Sequence, residues 1–242
     1  MTKDNVDSVL IGPLQIGAYQ DQQQLLETIV DQQGFVFAGS AIAINPEKIM
    51  TARQDSSVAS MLQQAEIRYA DGIGVVAVMR QRLKRPIQRI PGCELWQALM
   101  LRCAEFKVPV YLVGAKPEVL AQTKAKLQQQ HVHVVGATDG YFGDEQQVIE
   151  SIKQSGAQVI SVAMGSPKQE QFIDRCKQQL PACFFMGVGG SYDVFTGNVK
   201  RAPAIWCKLH LEWAYRLLSQ PSRVGRQGKL FHYLWLVLRG RL

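Results

Sequence analysis

A chain of 242 residues can bury one sizeable core, or a core and an appendage, and its 47% hydrophobic content excludes a largely disordered polymer. No apolar run approaches the roughly 20 residues that a membrane-spanning helix needs, and the opening stretch MTKDNVDSVL predicts no signal peptide. Five cysteines (Cys93, Cys103, Cys176, Cys183, Cys207) form no CxxC pair and leave one over, which points to reduced thiols rather than a disulfide framework or a zinc site. The net charge of +7 is unevenly placed. Residues 1–200 hold 19 basic and 19 acidic side chains, whereas residues 201–242 hold 8 basic ones against Glu212 alone, with three of the four tryptophans. Such a tail suits an anionic partner that also accepts aromatic rings. A membrane surface fits better than nucleic acid, because the aromatics cluster with Leu and Val instead of interleaving with the charges.

In chain order, residues 9–17 predict a short hairpin closed around Gly12-Pro13. A helix is expected over residues 19–33, ended by Gly34, and a strand in the second half of FVFAGSAIAIN, residues 35–45. Asn45 before Pro46 has the form of an N-cap with proline at the first helical position. Residues 55–65 read as helix. The segment YADGIGVV, residues 69–76, then reads as the end of a buried strand, a carboxylate, a Gly-rich turn and a new helix. Arg80 to Arg89 is a basic run of the kind that forms a solvated face, with Arg89 beside Ile90-Pro91-Gly92 its one candidate for function.

From Cys93 the alternation is regular. A helix over about 93–106 leads to a strand at 108–114 and a helix opening at Pro117. A strand at 131–136 leads to a helix from about Asp144, a strand at 157–164 to GSP and a helix, and ACFFMGVGG closes the series at 182–190. Alternating strands and helices predict a Rossmann-like α/β fold, a parallel sheet with helices on both faces, preceded by the small hairpin. Each strand exits into small residues: Gly114-Ala115, Gly136-Ala137, Gly165-Ser166 and Gly187 to Gly190. A row of such turns makes a ligand crevice in which helix N-termini favour anions. Asp71 would stand on that edge, either facing the crevice or capping the next helix. After Pro203 a helical stretch over 204–219 places Trp206, Leu209, Trp213 and Leu217 near one face. Beyond Pro221 a second stretch, 222–238, ends in LFHYLWLVL, too short to span a bilayer but suited to lying in its interface or packing on the core or a protomer.

Several motifs are absent. No GxGxxG follows a strand, and neither a phosphate-binding GxxxxGKS or GxxxxGKT loop nor a GxSxG elbow occurs. The four histidines lack ligand spacing, with His131 and His133 expected at the surface. There is no DxD, the paired carboxylate that clamps a metal in many nucleotide-sugar enzymes. A diphosphate handled by this chain is therefore expected to be stabilised by arginines and backbone N–H groups, with no metal cofactor.

Four segments, DGIG at 71–74, DGYF at 139–142, GSPKQE at 165–170 and YDVFTGNVKRAP at 192–203, together resemble the WecG/TagA/CpsF glycosyltransferase family. The likeness runs from about Ala43 to Arg226 with the motifs in order. The longer wording VAMGSPKQE, YDVFTG, VKRAP and EWAYRLLSQPSR is most similar to the branch that builds enterobacterial common antigen. The resemblance implies an inverting, metal-independent enzyme at the cytoplasmic membrane face. It would move N-acetylmannosaminuronic acid from its UDP donor onto polyprenyl-diphosphate-linked GlcNAc; neutral N-acetylmannosamine is the alternative sugar, and a non-catalytic nucleotide-binding module docked on membrane the alternative class.

By motif, the resemblance matches Asp71 to the general base that takes the proton of the acceptor hydroxyl. It places Asn45, Arg89 and Gln169 at the donor sugar and diphosphate, Tyr141 and Asp193 at the uridine, and Gly114, Gly165 and Ser166 where backbone approaches the donor. It also implies that residues 201–242 form an appendage that folds over a core of residues 1–200 and contributes Arg216, Arg223 and Arg226 to the leaving diphosphate. Ala43 stands where many members carry Thr, and Ala115 where many carry Gly. An acidic donor sugar needs a cation, for which Lys48 and Arg53 are candidates. A homo-oligomer built through the apolar tail is compatible with all of this.

Overall fold

The computed structural model describes residues 6–199, 203, 206, 215 and 227–242. The N-terminal hairpin forms as expected: β1 (Ser8–Ile11) and β2 (Leu14–Gly17) pair antiparallel around Gly12, which takes φ +59. Helix α1 (Gln22–Ile29) starts at an Asp21 cap whose side chain accepts the Gln24 N–H. It is shorter than the sequence predicts. Val30 leaves the helix to bridge Val36, and the Asp31 carboxylate accepts the N–H groups of Gln33 and Phe35, which competes with helix continuation.

Strand β3 (Gly39–Ile44) leads into α2 (Pro46–Gln54), α3 (Ser56–Gln63) and β4 (Ile67–Ala70). The next elements are α4 (Ile73–Leu83), α5 (Gly92–Glu105), β5 (Val110–Gly114), α6 (Pro117–Gln129), β6 (Val134–Thr138), α7 (Glu145–Gln154), β7 (Val159–Ala163), α8 (Lys168–Gln179), β8 (Phe184–Gly187) and α9 (Ser191–Thr196). Among the described residues of the tail, Gln227–Leu238 form α10. Strand β6 starts later than the pattern HVHVVG predicts, and Gly136 and Ala137, expected as its exit turn, are instead paired within it opposite Tyr111 and Leu112. His131 takes a left-handed φ of +62 and its N–H closes a turn onto Gln128, so both histidines stay exposed ahead of the strand.

The strands form one eight-stranded sheet in the order β1-β2-β4-β3-β8-β7-β5-β6, parallel throughout except for the hairpin. Alternation along each strand sends side chains to two faces. Ala41, Tyr69, Leu112 and Met186 point to one, where Trp96 of α5 and Tyr192 of α9 meet at a tilt of 40° with ring centroids 5.2 Å apart. Ile42, Ile44 and Ala70 point to the other, under α2, α3, α4 and α10, and Val113, Ile160 and Phe185 continue that face under α7 and α8. Sheet pairing thus lines up the exits of β4, β3, β8, β7, β5 and β6 on one edge.

Helix α10 packs against α2. Tyr233 is fully buried and its hydroxyl donates to the Gly74 carbonyl at 3.2 Å, at the start of α4. Lys229 donates to Thr51 Oγ1 at 2.9 Å, and Arg53 to the Arg241 carbonyl at 2.9 Å. Its other side stays in water: Phe231, Leu234, Trp235 and Leu238 are exposed at helical spacing i, i+3, i+4, i+7.

Candidate active site

The exits of β3 and β4 are bonded to each other. The backbone N–H of Asp71 donates to the Ile44 carbonyl at 3.0 Å. A Cβ on Gly72 would lie 2.6 Å from Pro46 Cδ and 3.2 Å from Asn45 Cα, so only glycine lets the two turns touch. Asn45 caps α2 as expected, its side-chain oxygen accepting the Lys48 N–H at 2.9 Å with Pro46 in the first turn. Asp71 does not occupy the equivalent position. The cap residue of α4 is Gly72, which leaves Asp71 one residue before it.

The Asp71 carboxylate meets Arg89 instead. Ile90 N–H donates to the Ala70 carbonyl at 3.1 Å and lays the loop before α5 along the end of β4. From that loop Arg89 Nη2 reaches Asp71 Oδ1 at 3.1 Å while Nε donates to the Asp71 backbone carbonyl. The guanidinium therefore fixes both the side chain and the backbone of one residue. The Asp71 side chain keeps 28% of its surface open, so a substrate hydroxyl can reach it. On its buried side stands Tyr69, whose hydroxyl has no hydrogen-bond partner. A Cβ on Gly92 would lie 3.2 Å from that hydroxyl, 3.7 Å from Ala43 Cβ and 3.9 Å from Asp71 Oδ2, which defines a tight corner at the N-terminus of α5. Burial first, then the charges of Asp71 and Cys93, hold the Tyr69 phenol well above its ordinary range, so it stays neutral.

The rest of the edge is built from backbone. Gly114 ends β5 with φ +102, and a Cβ there would sit 2.4 Å from the Ala163 carbonyl. Ala115 follows at φ +63 and donates its N–H to that carbonyl at 2.9 Å, tying the exit of β5 to that of β7. Gly140 N–H bonds the Ala115 carbonyl at 2.9 Å, which draws the DGYF loop back towards the β5 turn and leaves Tyr141 70% exposed. Gly165, at φ +76, and exposed Ser166 form the β7 exit. Gln169 is buried: its Oε1 accepts the Gly189 N–H at 2.9 Å and its Nε2 donates to Glu170 Oε1 at 3.2 Å. Asp193 lies half-buried in the first turn of α9.

Asp71, Arg89 and Asn45 are thus brought together at adjacent strand ends, and Gln169 is joined to the β8 turn. Tyr141 follows β6, five strand steps from β4, so at about 4.8 Å per step it belongs to the opposite end of the crevice from Asp71. Lys48 and Arg53, the candidate cations for an acidic sugar, are engaged by Glu170 and by the Arg241 carbonyl. Arg216, Arg223 and Arg226 lie outside the described residues. Sequence reasoning passed over Glu170, only 3% exposed in the first turn of α8. Its signal was positional: Gln169, Glu170, Phe172, Ile173 and Cys176 share the buried face of that helix, so the carboxylate falls where an apolar residue is expected.

A doubly wound sheet with an Arg-held carboxylate at one strand exit, beside glycine-bearing turns where a ligand can approach the backbone, has the make-up of a group-transfer enzyme. Residues 13–242 match the Glycosyl transferase WecG/TagA/CpsF family, and the chain belongs to it. It is accordingly a glycosyltransferase, of a family that uses nucleotide-sugar donors and lipid-linked acceptors. Among the described residues no group of three or more His, Cys, Asp or Glu could hold a metal ion, and no helix is long and apolar enough to cross a membrane.

Proposed function

We propose that the chain transfers N-acetylmannosaminuronic acid from its UDP donor to polyprenyl-diphosphate-linked GlcNAc, with inversion and without a metal, in the synthesis of enterobacterial common antigen at the inner face of the cytoplasmic membrane. The observation that carries this reading is the Asp71–Arg89 pair on the crevice edge of a WecG/TagA/CpsF family member. Asp71 accepts the proton of the acceptor hydroxyl as that oxygen attacks C1 of the sugar, and the C1–oxygen bond to UDP breaks on the opposite face. Arg89 keeps the carboxylate aimed. Asn45 and Gln169 border the sugar and diphosphate, and the Gly114, Gly165 and Ser166 turns bring backbone N–H groups to the phosphates. Tyr141 and Asp193 face the uridine. Arg216, Arg223 and Arg226 meet the charge growing on the departing UDP.

The outer face of α10 supports the membrane part of the reading. Phe231, Leu234, Trp235 and Leu238 form an exposed apolar stripe, and the Arg239 guanidinium lies 4.5 Å from the Trp235 ring centroid with Arg241 beyond it. Residues 201–242 then act as an appendage to the core of residues 1–200, with rings in the headgroup zone and cations at its surface. Incubation with UDP-N-acetylmannosaminuronic acid or UDP-N-acetylmannosamine and a GlcNAc-diphosphate-lipid analogue, read by product mass, tests the reading. The acidic disaccharide lipid is the expected product. The neutral one moves the chain to the alternative donor, and no product with either sugar overturns the proposed donor and acceptor. A folded chain truncated near Lys200 that kept full turnover on a soluble acceptor would overturn the role of the appendage.

A further inference from the structure

Lys48 and Glu170 come from helices that serve different strand exits. Lys48 lies in the first turn of α2, and its backbone N–H is the one bonded by the Asn45 cap. Glu170 lies in the first turn of α8, directly after Gln169. Lys48 Nζ meets Glu170 Oε1 at 2.9 Å, with side-chain exposures of 18% and 1%. Gln169 Nε2 donates to the same oxygen at 3.2 Å while Gln169 Oε1 accepts the Gly189 N–H. One unbroken chain of contacts therefore runs from Asn45 through Lys48, Glu170 and Gln169 to Gly189. It joins the exits of β3, β7 and β8, and it spans the place of β8, which lies between the other two strands.

Stability alone does not explain this pair. Taking two charges out of water costs more than an apolar pair of similar volume would, and Glu170 Oε2 is buried without a hydrogen-bond partner. Leu or Met at both positions would fill the gap between α2 and α8 without either cost. A hydrogen-bonded ion pair supplies something methyl groups do not, a fixed direction and distance between the two helix starts. Those starts carry Asn45 and Gln169.

We propose that Lys48 and Glu170 are positioning residues that set the separation of the Asn45 turn from the Gln169 and Gly189 turns, and with it the fit of the crevice to the nucleotide-sugar donor. The proposal rests on the donor reading above. It is tested in the full chain with the double variant K48M/E170L, with K48R as the variant that keeps the pair, by melting temperature, by UDP titration and by separate kcat and KM for the donor. The double variant is expected to melt near the unaltered protein yet to bind UDP and donor about ten- to a hundredfold more weakly, with a smaller change in kcat. K48R should bind UDP and donor close to the unaltered protein. A folded double variant with unchanged donor KM overturns the proposal. A double variant that no longer folds overturns it too, because the pair would then hold the core rather than the crevice. Failure of UDP to bind the unaltered protein strikes the donor reading itself and is seen before any variant is made.

Discussion

At the β3–β4 end of the crevice the chain presents charged and polar side chains fixed by other side chains, whereas at the β5–β7 end it presents backbone bent through left-handed residues. Asp71 is held by Arg89 and Asn45 by its own cap bond, the end at which the proposed function puts proton transfer. Gly114 and Ala115, at φ +102 and +63, offer no ionisable group, only close approach of the backbone, and the Ala115 N–H is already given to the Ala163 carbonyl. On the proposed function the difference teaches a division of labour: the reactive end would need a group that changes protonation state, the anchoring end geometry that does not change.

Replacing Asp71 by Asn should cut turnover by about a hundredfold or more, with UDP binding and melting temperature little altered. Unchanged turnover would place the base elsewhere. Substitution at the anchoring end should act in the opposite sense. Gly114→Ala forces a Cβ to 2.4 Å from the Ala163 carbonyl at a φ that favours glycine, so it should lower stability by about 2–4 kcal/mol, on the order of 5–15 °C in Tm. If Gly114→Ala melts normally but loses only kcat, the division fails.

The outer stripe of α10 extends the comparison to the appendage. Phe231→Ser, Trp235→Ser and Leu238→Ser remove exposed rings and a leucine, so Tm should hold while partition onto anionic vesicles falls by about tenfold per residue. Equal vesicle binding by the triple variant would assign the stripe to a protein contact. A smaller effect concerns acid. Burial works to raise the Glu170 carboxyl, but Lys48 and the surrounding hydrogen bonds outweigh it, and the net position lies below the ordinary 4.5. Glu66 follows the same pattern with Lys177. A depressed folded value means that the stabilisation is present above pH 4.5 and lost as pH falls below it. Acid unfolding monitored by circular dichroism should therefore steepen below that pH, and K48M/E170L should blunt part of the drop. Smallest of all, Asn45→Ala should cost about 1 kcal/mol of stability through the lost cap, with a separate rise in donor KM if the side chain also meets the sugar.

Much of this was legible in advance because local rules agreed with the fold. The Asn45-Pro46 cap, the Gly12 hairpin and the strand–turn–helix at Asp71 each form where pattern and turn chemistry place them. Helix α1 and strand β6 were misplaced where side-chain competition at Asp31 and a left-handed His131 redirected the backbone, and neither effect shows in periodicity. The two readings left open for Asp71 were separated only by the observed cap, Gly72, and by Arg89, 18 residues further along the chain. Lys48 and Glu170 lie 122 residues apart, and nothing in the intervening sequence marks them as partners.

By itself the sequence determined the alternation of strands and helices, the small residues at the exits of β5, β7 and β8, the basic aromatic tail and the motifs of the family, because each is a local or compositional property. Only the tertiary structure decided which exits stand side by side, which carboxylate faces a guanidinium and which faces an ammonium, and which side of α10 remains in water. Those are outcomes of strand order and helix packing, where contacts between distant residues are chosen by the whole sheet at once.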